Sequence, residues 1–214
     1  GCKNEPEIVA HLARAAYKLG WAISLQDAIN AFHEAMRNRG LKAAKRRWPE
    51  AVCLLRLFYG QTTSAIFIYE DDDGQLRVAC NPSAEGSRMG CVLGGFFFNM
   101  GLADAYEACD GDFSEMINVA LTDDFPAFAP PPSDASDNEQ WQKIYERLRD
   151  RLQAYDLHAG NIGMARHPDK GKVLLPPGAP MPRDELLSGP AALTPVWDGI
   201  VLSGAPIGTD DFML

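Results

Sequence analysis

The chain has 214 residues, of which 46% are hydrophobic and 23% are charged, and its formal net charge is −9. A chain of this length and composition can bury a sizeable core as one domain, so wholesale disorder and collagen-like repeats are excluded. Its longest apolar run, around residues 92–100, is much shorter than the ~18 residues that a membrane-spanning helix needs. We therefore expect a soluble globular protein with no membrane partner.

The five cysteines are odd in number, lack CxxC spacing and have no histidine nearby at zinc-ligand spacing. This pattern favours reduced thiols over disulfides or a zinc site. No charged-then-apolar secretory signal precedes the first predicted element. We therefore expect an intracellular protein, nuclear or cytoplasmic, that is not secreted.

The negative net charge argues against a surface that binds nucleic acid everywhere, because Lys and Arg contacts to phosphates supply much of that affinity. One segment differs, since residues 37–47 carry six basic side chains and no acidic one. Within it, Lys42, Lys45, Arg46 and Arg47 are candidate phosphate contacts. The alternative is an ordinary solvated helix face.

Hydrophobic periodicity and turn residues predict the elements in chain order. They are a helix over 6–19, a strand over 21–26, helices over 30–39 and 42–59, a hairpin over 62–80, a buried helix over 93–109, a hairpin over 116–129, a helix over 136–155, and strands over 172–176 and 197–208. Long elements of both kinds in this order predict an α+β fold. We expect an antiparallel sheet with the helices packed on one face.

Three carboxylates follow apolar strands. Asp27 follows WAISLQ, and Asp123 and Asp124 follow MINVAL. If these strands are neighbours, their ends bring the three carboxylates together, and such a cluster needs a cation to stay ionised. Two Mg²⁺ ions, or Mn²⁺, would relieve the repulsion and clamp the oxygens of a phosphoryl displacement. The alternatives are a solvated Asp-Asp turn and a helix N-cap at Asp27.

Four sequence blocks place these carboxylates in a wider pattern. They are LQDAINAF, SRMGCVLGGFFFNMGL, VALTDDFPAF, and KGKVLLP with the later VLSGAPIG. In this order they resemble the palm of reverse transcriptases, most closely the non-LTR retrotransposon type. The resemblance implies a palm-type, RRM-like antiparallel sheet and a template-directed RNA-dependent DNA polymerase. Its expected partners are an RNA or DNA template-primer and deoxynucleotides.

The resemblance also implies a division of the chain. Residues 1–20 would be an N-terminal helix at the tail of a truncated fingers region, and residues 21–160 would be the palm core. Residues 161–214 would complete the palm with the lysine segment and the Leu-Gly strand, and the thumb would be absent. The missing fingers and thumb would belong to a longer chain.

The resemblance implies roles for particular residues. Asp27 and Asp123 would be the metal ligands, with Asp124 beside them and the backbone carbonyl of Ala28 as a further oxygen. The nucleotide-binding positions would be Phe32, Met89, Gly90 and Lys170. Phe32 would exclude a ribose 2′-hydroxyl, or else be a core aromatic. Gly90 would allow close backbone approach, and Lys170 would face the base or phosphate, with Lys172 only two residues away.

The sequence departs from the family pattern at several positions. Met89 stands where the family usually has Gln, Val92 where it usually has Pro, and Leu121-Thr122 where an aromatic and a small residue are more usual. These departures favour an alternative, a catalytically silent or degenerate reverse-transcriptase-like domain that acts only as a fold or as an interaction module for nucleic acid or protein. A third hypothesis is an unrelated α+β protein with acidic turns.

Overall fold

The computed structural model describes residues 5–29, 35–87, 91, 93–121, 124–167 and 171–213. The chain forms two compact units. The sheet unit comprises Gly1–Ile29 and Asp104–Leu214, and the inserted unit comprises Asn30–Ala103. No helix within the described ranges is long and apolar enough to cross a membrane.

The elements confirm a mixed α+β protein. In chain order they are α1 Glu5–Lys18, β1 Ala22–Leu25, α2 Arg37–Arg47, α3 Val52–Tyr59, β2 Thr63–Glu70, β3 Leu76–Ser83, α4 Gly94–Asp112, β4 Ile117–Asn118, β5 Ala127–Ala129, α5 Asn138–Gly160, β6 Lys172–Leu174, β7 Pro195–Val196, β8 Gly199–Leu202, β9 Ala205–Gly208 and α6 Asp210–Met213. Short 3-10 turns occur at Pro49–Ala51 and Asp184–Leu186.

A five-stranded sheet organises the sheet unit, with the strand order β4-β5-β1-β6-β7. The central strand, β1, pairs antiparallel with β5 and β6, so that Ile23 faces Phe128 on one side and Leu174 on the other. The predicted pairing of β1 beside the second hairpin is confirmed. The predicted purely antiparallel, RRM-like sheet is not confirmed, because β7 pairs with β6 in parallel after a long connection.

Both faces of this sheet are covered, so the prediction that the helices pack on one face is wrong. Helix α5 packs against the face that carries Ala22 and Val173. Helix α1 and the β8–β9 hairpin pack against the opposite face, which carries Ile23 and Leu174. Ala22 and Ile23 of β1, and Val173 and Leu174 of β6, place apolar side chains on both faces of the sheet, and a strand with two apolar faces needs cover on both sides.

The inserted unit contains α2, α3, the β2–β3 hairpin and the first part of α4. The single helix predicted over 42–59 is wrong, because Pro49 interrupts it. Trp48, which precedes the proline, leaves the helical conformation, with φ −149° and ψ 72°, because steric clash with a following proline ring disfavours that conformation. Gly40 lies close to Phe97, where a Cβ would come within 2.7 Å of the ring, and Phe97 stacks on Tyr59 at 4.3 Å.

The last predicted strand, over 197–208, is instead the hairpin of β8 and β9. Ser203 and Gly204 form its turn with φ 48° and 83°. Two consecutive left-handed residues reverse the chain with the twist that a hairpin needs. This turn brings a hydroxyl to the site described next.

Candidate active site

Asp27 is held at the end of the central strand by the backbone around it. The His167 N–H donates to the Asp27 carbonyl at 2.7 Å, and the Ile29 N–H donates to the Ala165 carbonyl at 2.8 Å. Ala28 lies opposite Arg166 in the same short antiparallel pairing. The backbone that carries the half-buried Asp27 side chain is therefore fixed on both sides of Asp27.

Asp124 is fixed by the turn that follows β4. The Leu121 N–H donates to the Asp124 carbonyl at 2.8 Å, and the Asp124 N–H donates back to the Leu121 carbonyl at 2.9 Å. The Ser203 hydroxyl donates to Asp124 Oδ2 at 3.0 Å. Ser203 was not among the residues singled out from the sequence. Asp123, the second predicted ligand, lies outside the described residues.

Asp27 and Asp124 line the same cleft, which has a volume of about 370 Å³. The other residues that line it come from β1, β6, β8 and α6, and they are Leu25, Lys172, Gly199, Ile200, Val201 and Phe212. The structure thus brings together two of the three predicted carboxylates and places a lysine beside them.

A metal site is not shown in the part of the chain that the structure describes, where no group of three or more His, Cys, Asp or Glu could hold an ion. Asp27 and Asp124 do offer carboxylate oxygens, the donors that Mg²⁺ prefers. The third predicted carboxylate, Asp123, is not among the described residues. A Mg²⁺ or Mn²⁺ site with Ala28 as a further oxygen donor stays a prediction.

The predicted nucleotide-binding residues Phe32, Met89, Gly90 and Lys170 all lie outside the described residues. Lys172 was considered from the sequence only as a neighbour of Lys170. It lies in the same block, KGKVLLP, and within the described residues. It is the first residue of β6, opposite Leu25 of β1, and it is exposed at the cleft. It offers a cation near the two carboxylates.

A buried arginine lies beneath the two acid-bearing strand ends. Arg151 of α5 is 0% exposed. Its guanidinium donates to Asn118 Oδ1 at 2.5 Å, to Gln26 Oε1 at 2.6 Å and to the Phe125 carbonyl at 3.0 Å. Burial lowers the pKa of Arg151 to about 10, so the side chain stays charged at neutral pH.

The position of Arg151 along α5 is a sequence signal for its buried role. Arg151 lies three residues after Leu148 and four before Tyr155, which are both buried. Residues at these spacings share a helix face. A charge on the apolar face of an amphipathic helix indicates a buried polar contact.

The predicted basic residues lie together on one helix of the inserted unit. Lys42, Lys45, Arg46 and Arg47 are all in α2 and are exposed. The opposite face buries the small residues Gly40, Ala43 and Ala44. Whether this exposed basic face contacts phosphates stays a prediction.

Neither a protein-family model nor a curated protein matches the chain. Solved structures do match it. Telomerase from Candida albicans, in complex with the TWJ fragment of telomeric RNA, superposes with a TM-score of 0.60 at 13% identity, covering 96% of this chain and 34% of that one. Apo telomerase from Candida tropicalis, truncated from its C-terminal domain, gives 0.54 at 12%, covering 81% and 35%. A second apo structure from that organism gives 0.52 at 10%, covering 82% and 33%.

The chain therefore shares its fold with these telomerase structures, and telomerase is an enzyme related to reverse transcriptases. At this level of identity the likeness shows the fold, and it does not extend to the predicted non-LTR retrotransposon type. The chain spans about a third of the length of the telomerases it matches.

Proposed function

We propose that the chain is the palm of a template-directed nucleotidyltransferase, an RNA-dependent DNA polymerase. The observation that carries the proposal is the shared cleft of Asp27 and Asp124 at the end of the central strand. The order of the four sequence blocks and the reverse-transcriptase-like fold support it. The non-LTR type rests on the sequence blocks alone.

In this proposal Asp27, Asp123 and Asp124 hold two Mg²⁺ ions. When bound, Mg²⁺ lowers the pKa of the attacking hydroxyl and stabilises charge on the phosphoryl group. The chain itself supplies the fixed carboxylates and, through Lys172, a cation beside them for the triphosphate of a deoxynucleotide. Phe32 excludes the 2′-hydroxyl of a ribonucleotide, and Met89, Gly90 and Lys170 contribute to the nucleotide pocket.

The proposed partners are a template-primer and the fingers and thumb segments of a longer chain. The basic face of α2, with Lys42, Lys45, Arg46 and Arg47, is the proposed phosphate contact in the inserted unit. A nucleic-acid partner is consistent with the Candida albicans telomerase, whose structure contains a fragment of telomeric RNA.

Primer extension on an RNA template tests the proposal, in protein that carries the proposed fingers and thumb. Asp27→Asn and Asp123→Asn are expected to abolish extension, because each removes a metal ligand and leaves a side chain of equal size. Asp72→Asn is the matched control, since Asp72 is an exposed carboxylate in the turn of the β2–β3 hairpin. Phe32→Ala is expected to admit ribonucleotides while deoxynucleotide incorporation continues.

A silent domain is the second candidate, and Met89 is the observation that favours it. A thioether cannot make the hydrogen bonds that the family's usual glutamine makes. If wild-type protein extends no primer with Mg²⁺ or Mn²⁺ on an RNA or a DNA template, the polymerase proposal fails. The silent domain then replaces it. Restored extension in Met89→Gln would then identify the lost contact.

A further inference from the structure

We propose that Arg151 is a positioning residue whose single guanidinium fixes the spacing of the two strand ends that carry Asp27 and Asp124. The proposal deepens the proposed function and rests on it for the role of those carboxylates. The structural part of the proposal, that one side chain links two strand ends, can be tested separately.

The contacts of Arg151 fall directly beside the acidic residues. Gln26, which accepts from Nη1 at 2.6 Å, precedes Asp27, and Phe125, whose carbonyl accepts from Nη2 at 3.0 Å, follows Asp124. The N–H donors of a guanidinium lie in one rigid plane. The distance between its two acceptors is therefore set by the guanidinium, and so is the spacing of the neighbouring residues.

The acceptors are themselves held in place. Gln26 Nε2 donates to Ser24 Oγ at 2.6 Å, which fixes the orientation of its amide so that Oε1 faces Arg151. Asn118 of β4 accepts the third hydrogen bond. The guanidinium also lies over the Phe125 ring, 4.3 Å from its centroid. The network links α5 to β4, to the residue after β1 and to the segment before β5, at the end of the sheet where the cleft lies.

Stability alone does not account for a charge at this position. The three acceptors are neutral oxygens, and the arginine is fully buried. Burying a charge costs desolvation free energy, and a packed apolar side chain of similar volume often stabilises a core as well or better. What an apolar side chain cannot supply is a directional link between Gln26 and Phe125.

Two residues of the same helix provide matched controls. Arg147 lies one turn earlier, is exposed, and bonds Glu115 and the Asp112 carbonyl rather than the strand ends. Leu148 is fully buried, so Leu148→Ala lowers overall stability without removing the guanidinium. Together they separate loss of charge and loss of stability from loss of positioning.

Amide hydrogen exchange in the 214-residue chain tests the structural claim. The reporters are the N–H groups of His167, Leu121 and Asp124, which close the two strand ends. Arg151→Met is expected to speed their exchange about tenfold or more relative to amides of α1, since charge-assisted hydrogen bonds are lost. Arg151→Lys restores part of the protection, and Arg147→Met and Leu148→Ala leave the ratio unchanged.

Mn²⁺ titration of the same variants tests the link to the site. Arg151→Met is expected to weaken Mn²⁺ binding about tenfold to a hundredfold, the usual effect of losing a residue that orients metal ligands. Arg151→Lys should fall between Arg151→Met and the wild type. If strand-end exchange rises but the wild type binds no Mn²⁺, Arg151 positions the strand ends and the proposed function fails.

Unchanged relative exchange in Arg151→Met overturns the proposal whatever the metal data show. If that variant does not fold, Arg151→Lys decides by the same ratio. A further readout needs no variant, because a guanidinium held at both ends rotates slowly. Wild-type NMR spectra should resolve separate Nη protons for Arg151 with contacts to Gln26 and Phe125, and a single averaged resonance would contradict the proposal.

Discussion

Main-chain hydrogen bonds hold the backbone at both Asp27 and Asp124. The Asp27 carbonyl accepts from His167, and Asp124 Oδ2 accepts from the Ser203 hydroxyl. Main-chain anchoring depends little on side-chain identity, so asparagine at either position should keep the backbone in place. Asparagine variants therefore report on the carboxylate charge rather than on folding.

Lys172→Met is expected to weaken binding of a deoxynucleoside triphosphate about tenfold, because one charge-assisted contact to phosphate is lost. Fluorescence titration with a labelled nucleotide measures this change. Lys143→Met is the matched control, since Lys143 is an exposed lysine of α5 that lies outside this cleft. Equal affinity in the two variants would remove Lys172 from the proposed triphosphate contact.

The residue scale also shows which parts of the site a sequence can reveal. The acidic pair Asp123-Asp124 and the acid at Asp27 stand out because each ends an apolar strand. Ser203 gives no such signal, because only the hairpin turn brings it to Asp124, 79 residues away in sequence. Arg151 does give a sequence signal, since it interrupts an apolar helix face.

At the scale of elements, α5 begins with a side-chain cap that depends on pH. Asp137 accepts hydrogen bonds from the Glu139 and Gln140 N–H groups and from the Gln140 side chain. The Gln140 side-chain bond, followed by the backbone bonds, lowers the pKa of Asp137 below its usual value of 3.8. A lowered pKa means that the cap stabilises the fold above about pH 4 and loses its effect as the pH falls through the folded-state pKa.

Asp137→Asn tests this dependence, because asparagine still caps a helix but does not ionise. The melting temperature of the variant should be lower than that of the wild type at pH 6, and the difference should shrink as the pH is lowered from 6 to 2. Circular dichroism at both pH values measures it. A difference of the same size at both would show that ionisation of Asp137 does not contribute.

Helix α2 carries the prediction about nucleic acid. Replacing Lys45, Arg46 and Arg47 with Gln should weaken binding uniformly across sequences. It should also reduce the slope of log affinity against log salt by up to about one for each lost phosphate contact. Fluorescence anisotropy at several salt concentrations measures both effects.

The control for that experiment removes the same charge elsewhere. Gln at Lys143, Arg147 and Arg149 of α5 lowers the net charge equally and leaves α2 intact. Equal effects of the two triple variants would mean that net charge alone governs binding, and α2 would then be an ordinary solvated face.

The elements that the sequence predicted well are those with a strong local pattern. Helix α5 and the β2–β3 hairpin follow from apolar periodicity and from the Asp73-Gly74 turn. Predictions failed where one residue overrides the pattern, as Pro49 does between α2 and α3. They also failed where partners are distant in sequence, because periodicity says that α1 has an apolar face but not which face of the sheet it covers.

At the scale of the whole molecule, the sheet unit brings its carboxylates together from two distant segments. Asp27 precedes the inserted unit and Asp124 follows it. The sequence predicted their proximity only through the assumption that β1 pairs beside the second hairpin, and that pairing is confirmed. The parallel strand β7 could not be predicted, since two residues of strand after a long loop carry no periodicity.

Anomalous scattering from crystals grown with Mn²⁺ tests the central claim, that Asp27, Asp123 and Asp124 form one cation site. The account predicts a Mn²⁺ peak in the cleft, within about 2.0–2.6 Å of carboxylate oxygens from Asp27 and from the Asp123-Asp124 pair, as expected for a hard cation. The peak should be lost in Asp27→Asn crystals. A wild-type cleft without a peak at millimolar Mn²⁺, with the Asp123 carboxylate directed away from Asp27, would contradict the account.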